Sequence, residues 1–167
     1  NSISQVVNDR NKLFEKAGAC NIKEYNQMYI NRRLWFVDGH EYLPYIVVVI
    51  NEFSDLIMTY GKEAEDLIVS LAKEACTVGI HMVITTRRPS KSVVTDAVKD
   101  SIPERIAFRM VLKSESQIIL GHPDAKRLAG RGDMFCIQNN ELVRVQCAFV
   151  DTTEIERINE YICEQPG

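Results

Sequence analysis

The chain has 167 residues, 46% of them apolar and 26% charged, with a net charge of −3. That length suits one domain with a sizeable core, and the acidic balance excludes a global basic field, so any nucleic-acid contact must come from a local patch. No apolar run approaches the roughly 18 residues of a membrane-spanning helix, the longest being Ile46–Ile50.

The first ten residues are polar and show no signal-peptide pattern, and Asn rather than Met at position 1 suggests a segment of a longer protein. Residues 1–18 read as a helix, with Val6, Val7, Leu13 and Phe14 at near-helical spacing and Gly18 as its stop. Asn21 is a predicted N-cap for a second helix through Arg33. Trp35 to Pro44 is a predicted loop turning at Asp38-Gly39.

Tyr45 to Ile50 is continuously apolar, which predicts a strand of a parallel sheet covered on both faces. Lys62 to Val78 is a predicted helix with Leu67, Leu71, Ala75 and Val78 inward and Gly79 at its end. Ile80 to Thr85 is a second apolar strand, completing a βαβ unit. A short helix over Ser92–Ser101 and a strand over Arg105–Val111 follow. Ser114 is the expected cap of a helix through Leu120, and Pro123 opens another through Ala129. Met134–Gln138 and Leu142–Phe149 read as a hairpin across Asn139-Asn140. Thr152 or Thr153 is the expected cap of a last helix, with Ile155, Ile158 and Ile162 facing the core.

Five cysteines, Cys20, Cys76, Cys136, Cys147 and Cys163, form no CxxC pair. They fit reduced thiols of a cytosolic protein, with Cys76, Cys136 and Cys147 on apolar faces. His40, His81 and His122 stand apart without metal-ligand spacing, which argues against a metal site. Arg131-Gly132-Asp133 is a chance tripeptide. Lys113, Lys126, Arg127 and Arg131 read as a solvated face before a DNA-facing one.

In open α/β sheets ligands bind at the carboxyl ends of the parallel strands. Asn51 and Glu52 end the first strand; Thr85, Thr86, Arg87 and Arg88 end the second. An acid at one tip and hydroxyl or cationic groups at the next form an NTPase layout, in which the acid polarises water. By spacing alone, Asn51 and Glu52 serve equally well as the start of a helix.

From about Asp9 onward the chain resembles the FtsK/SpoIIIE motor family. The resemblance rests on Leu43–Glu65 (LPYIVVVINEFSDLIMTYGKEAE), Gly79–Ser90 (GIHMVITTRRPS), Ile102–Phe108 (IPERIAF) and Gly130–Phe135 (GRGDMF), in that order. It implies a RecA-like P-loop NTPase core of mostly parallel sheet flanked by helices, with a C-terminal hairpin. Residues 1–42 form a helical lead-in, and the Walker B strand onward fills 43–167 of one partial domain. It further implies a homohexameric ring that uses ATP and magnesium to pump double-stranded DNA during bacterial chromosome segregation and division. On that account the chain is cytoplasmic, with any membrane anchor upstream. Glu52 matches the acid that orients water, Asn51 the magnesium-side position, Thr86 and Arg87 the sensor, and Arg105 a candidate arginine finger.

Departures from the family pattern bear on activity. No GxxxxGK[ST] phosphate-binding loop occurs in the chain, so it is expected to bind ATP weakly on its own and to be inactive alone. Asn51 replaces the Walker B aspartate, Arg87 a glutamine, Ser101 an asparagine and Gln117 an arginine. The alternatives that follow are a non-hydrolysing ring or regulatory paralogue, and a related motor of a secretion or conjugation system.

Overall fold

The structure, a computed structural model, describes residues 2–165. The chain divides into two compact units, one up to Ile102 and one from Pro103.

In the first unit, α1 (Ser2–Ala17) stops at Gly18, whose φ of +69° suits glycine. Asn21 caps α2 (Ile22–Ile30), its side chain accepting the Glu24 N–H at 3.0 Å. This helix ends three residues before the expected Arg33. Arg32 takes a left-handed conformation, and the Arg32 and Arg33 N–H groups bond back to Tyr29 and Met28 carbonyls in a Schellman closure.

Strands β1 (Ile46–Ile50) and β2 (Ile80–Ile84) pair in parallel, Ile46 opposite Ile80 and Ile50 opposite Ile84. Between them runs α3 (Phe53–Ala75), which begins nine residues before the expected Lys62. Its two segments break at Gly61, where φ 56° and ψ −135° are open to glycine alone. Leu71, Ala75 and Val78 are buried as expected, but Leu67 is exposed; Ala64 and Ile68 occupy the inward positions instead.

One core joins Val7, Phe14, Ile22 and Tyr25 of the helical lead-in to Leu71, Val78 and Ile80, with Ile46, Val48 and Met82 packed on it. The opposite face of β1 is open, Val47 being 62% and Val49 64% exposed. The expected covering of both faces does not hold among the described residues, because the helices that pack on the pair lie on one side.

Polar anchors hold the entry ends of both strands. Buried Arg10 donates to the Val78 carbonyl at 2.7 Å and to the Pro44 carbonyl at 2.8 Å, tying the turn before β2 to the loop before β1. Desolvation lowers its pKa, opposed by the charge of Glu41. Asn26 bonds both backbone groups of Leu43, at 2.8 and 3.0 Å. The short helix α4 (Asp96–Ser101) starts later than Ser92, at the cap Thr95, whose hydroxyl donates to Glu65 at 2.6 Å.

In the second unit, β3 (Arg105–Phe108), β4 (Asp133–Gln138) and β5 (Glu141–Gln146) form an antiparallel sheet in that order. The expected hairpin is therefore one strand larger. Asn139 and Asn140, at φ 51° and 64°, make its two-residue turn. β3 stops at Phe108 instead of Val111 and β5 at Gln146 instead of Phe149. Helix α5 (Lys113–Leu120) is capped from Leu112, not Ser114, with the Glu115 carboxylate accepting the Leu112 N–H. Pro123–Arg127 is a 3-10 turn that ends before Ala129. Ala107, Leu120, Ala125, Leu128 and Ile137 form this unit's core.

The last helix, α6 (Thr152–Cys163), is capped by Asp151 in a reciprocal box with Glu154. Ile155, Ile158 and Ile162 are all exposed, which corrects their expected place in the core: α6 has no buried residue. All five cysteines are free thiols; Cys76 is exposed, while Cys136 and Cys147 are half-buried.

Candidate nucleotide-facing site

The βαβ order brings the carboxyl ends of β1 and β2 side by side. Register sets this: Ile50 lies opposite Ile84, so the next residues of each strand meet. Thr85 N–H bonds the Ile50 carbonyl at 2.9 Å, and Phe53 N–H bonds the Thr85 carbonyl at 2.8 Å. The side chains continue the contact. The Thr85 hydroxyl donates to Asn51 Oδ1 at 2.7 Å, and Arg87 Nε donates to Glu52 Oε1 in an ion pair.

Glu52 precedes the first turn of α3 with φ 54° and ψ 56°, and its side chain makes no cap bond. A non-glycine residue held there costs on the order of 1–3 kcal/mol, and the conformation sends the chain directly from strand into helix. Asn51 and Glu52 thus lead directly into a helix and also meet the neighbouring strand's tip.

Glu52, Ser54, Asp55, Arg87 and Arg88 line a cleft of about 390 Å³. Arg87 is mostly exposed and Glu52 mostly covered, so the cation caps the acid from the solvent side. Thr86 is half-buried, does not line this cleft, and accepts the Arg88 N–H on its hydroxyl at 3.3 Å. Arg105 begins β3 in the other unit, opposite Ile137. Sequence reasoning passed over Thr85 as the partner of Asn51, and over Ser54, Asp55 and Arg88 as wall residues. Alternation along β2 marks Thr85 and Thr86 as pointing to opposite sides, but only the register selects between them.

The side chains gathered at the strand tips and cleft are one amide, two hydroxyls, two carboxylates and two guanidinium groups. Among the described residues no group of three or more His, Cys, Asp or Glu side chains is arranged to hold a metal ion. Magnesium would meet here an amide already bonded to Thr85 and an acid already bonded to Arg87.

Residues 1–91, which include β1, α3, β2 and both strand tips, match the FtsK/SpoIIIE family. The chain belongs to the FtsK/SpoIIIE family. Among similar proteins are those named DNA translocase FtsK in Oceanobacillus iheyensis, 40% identical over 93% of this chain, and in Staphylococcus epidermidis, 39% identical over 98%. The chain spans only 20% and 21% of those relatives' lengths. Its fold is that of P-loop ATPase motor domains. The pCW3 conjugation coupling protein TcpA, solved with ATPγS, superposes with a TM-score of 0.74 at 26% identity, over 96% of this chain and 47% of that one. The type VII secretion ATPase EccC of Thermomonospora curvata gives 0.72 at 21% identity, over 86% of this chain and 16% of that one, a likeness of fold alone.

Proposed function

We propose that this FtsK/SpoIIIE-family segment carries the water-activating side of a nucleotide site in an ATP-driven motor that moves double-stranded DNA. The joined strand tips, Asn51 with Thr85 and Glu52 with Arg87, are the observation that carries the reading. Glu52 is the acid that orients the attacking water. Asn51 takes the magnesium-side position through its amide, and Arg87 with Thr86 reports the γ-phosphate end. Arg105 serves a neighbouring subunit's nucleotide as a finger. ATP and magnesium supply the leaving group and its charge neutralisation; this chain's residues orient water and hold the acid. The relatives named DNA translocase FtsK support movement of DNA; on this reading chromosome segregation during division is the setting, a homohexamer is the working form and the parent protein is membrane-anchored.

Arg87 already holds one oxygen of the carboxylate that accepts a proton on this reading. That contact favours, as the second reading, a ring or regulatory paralogue that no longer hydrolyses. Likeness to a conjugation coupling protein supports a conjugation or secretion motor as the third.

The test joins this segment to a family phosphate-binding loop and measures DNA-stimulated ATP hydrolysis. The proposal expects hydrolysis that rises with double-stranded DNA and falls at least a hundredfold in Glu52→Gln. Hydrolysis absent in the parent but restored by Arg87→Gln or Asn51→Asp would establish the paralogue. Hydrolysis indifferent to DNA would favour the secretion motor.

A further inference from the structure

A groove of about 440 Å³ lies in the first unit, where α2 passes into the following loop, and shares no wall residue with the strand-tip cleft. Four of its seven wall residues are aromatic, Tyr29, Trp35, Phe36 and Tyr42, and its one charged wall residue is Arg32. Trp35 is 65% and Phe36 78% exposed. That exposure is built into the backbone. Arg32 stands at φ 56°, and its N–H bonds the Tyr29 carbonyl at 3.0 Å. The Asp38 N–H bonds the Trp35 carbonyl at 3.1 Å, and the Gly39 N–H bonds the Phe36 carbonyl at 2.8 Å. Closed turns thus hold the rings toward solvent, and a ligand need order only side chains.

The charge at the groove is positive although the chain is acidic overall. Arg33 follows Arg32, and among the described residues neither forms an ion pair. The acids of this segment, Asp38 and Glu41, are not wall residues. The Lys16 ammonium donates to the Asp38 carbonyl, which brings a cation to that acid's own residue. Glu41 lies toward Arg10: desolvation lowers the Arg10 pKa, and the Glu41 charge opposes it.

We propose that this groove binds single-stranded nucleic acid, with unpaired bases stacked on Trp35 and Phe36 and the phosphodiester backbone held at Arg32. Single-strand sites combine aromatic faces, which take bases of any sequence, with positive charge that follows the phosphates. A duplex closes its base faces into its own stack, so the groove distinguishes single strands from double strands. A proline-rich segment would use the rings and leave the cation without a partner. An acidic helix would use the cation but offer its aliphatic face where the walls offer rings for stacking. The inference goes beyond the ATPase reading and shares no residue with it, so either stands if the other fails.

Trp35 is the only tryptophan of the chain, so its fluorescence reports the groove directly. A twelve-nucleotide oligothymidylate titrated into the intact chain at about 50 mM salt should quench it saturably. Raising the salt should lower log K against log[salt] with a slope of about −0.7 per phosphate contact. An abasic strand of equal length keeps the phosphates without the bases and should bind at least fivefold more weakly. Phe36→Ala, at an exposed position, should weaken binding about 5- to 150-fold, the loss of one stacked base. Arg32→Gln should weaken binding and reduce the salt slope by about 0.7. Far-UV circular dichroism verifies folding, and the abasic strand with Arg32→Gln decides the matter should Phe36→Ala unfold the chain. Three results would overturn the proposal. They are no saturable quenching, an abasic strand or duplex that binds as tightly as the oligothymidylate, and tighter binding of thymidine monophosphate or a proline-rich peptide.

Discussion

Gly79 stands at the entry end of β2 against the core, and Gly79→Ala measures how tightly the core is packed there. The residue sits at φ +80°, where an L side chain costs about 1–2 kcal/mol. An added Cβ would overlap Ile22 Cδ1 and lie 3.1 Å from its Cγ2 and 3.2 Å from its Cβ. Cδ1 is the end of a flexible side chain and can rotate, but Ile22 is buried against α1 and β2, so a further 1–3 kcal/mol of overpacking is expected. The sum is about 2–5 kcal/mol. The Gly79 carbonyl accepts the Ile46 N–H at 2.9 Å, so the strain falls on the first rung of the parallel pair. Urea unfolding at fixed temperature, followed by far-UV dichroism and by the fluorescence of Trp35 in the first unit, gives the loss. Ile22→Val removes Cδ1 and alone costs about 0.5–1.5 kcal/mol. If Cδ1 carries the clash, the double variant is at least 1 kcal/mol more stable than the sum predicts. Additivity within about 0.5 kcal/mol, or a loss below 1 kcal/mol for Gly79→Ala, would refute the reasoning.

Two further outcomes follow from polar anchors. Asn26→Ala leaves the buried Leu43 N–H and carbonyl without their partner, so a loss of about 2–5 kcal/mol is expected in the same urea assay. In the second unit, Asp133 accepts two bonds from Arg144, at 2.9 and 2.7 Å, and one from the Ala129 N–H at 2.7 Å. The Arg144 hydrogen bonds, then that of Ala129, lower its pKa to about 2, below the roughly 3.9 of an unfolded aspartate. A depressed carboxylate stabilises the fold above its unfolded pKa, and that contribution disappears as pH falls from about 4 through 2. Arg144→Met should therefore flatten the acid limb of the stability profile over that window, and a profile unchanged from the parent would remove the pair from the account.

Local chemistry made several elements legible. Asn21 declares its helix through a side chain that can reach the Glu24 N–H, and Asn139-Asn140 declares a hairpin because both residues tolerate positive φ. Ile46–Ile50 reads as a strand from its β-branched run. The start of α3 was hidden because Gly61 interrupts the helical period, and the turn before it contains a polar pair with an equally good meaning at a strand tip. The stripe of α6 was legible as amphipathic; a period reports that a face wants burial and says nothing of what buries it. The same limit applies to β1, whose apolar run is covered on one side only.

At the site the deciding quantity is register, which a single strand does not contain. Ile50 opposite Ile84 puts Asn51 beside Thr85 and leaves Glu52 facing Arg87; a slip of one residue would exchange those partners. The two departures from the family pattern that lie at these strand tips, Asn51 and Arg87, then differ in weight. An aspartate at 51 would accept from the Thr85 hydroxyl as the asparagine does, so that exchange alters charge and leaves the strand tips in place. A glutamine at 87 offers Glu52 only a neutral donor, whereas Arg87 holds it with a fixed cation. Within this geometry Arg87, more than Asn51, sets the charge next to Glu52, the group that takes a proton on the proposed reading.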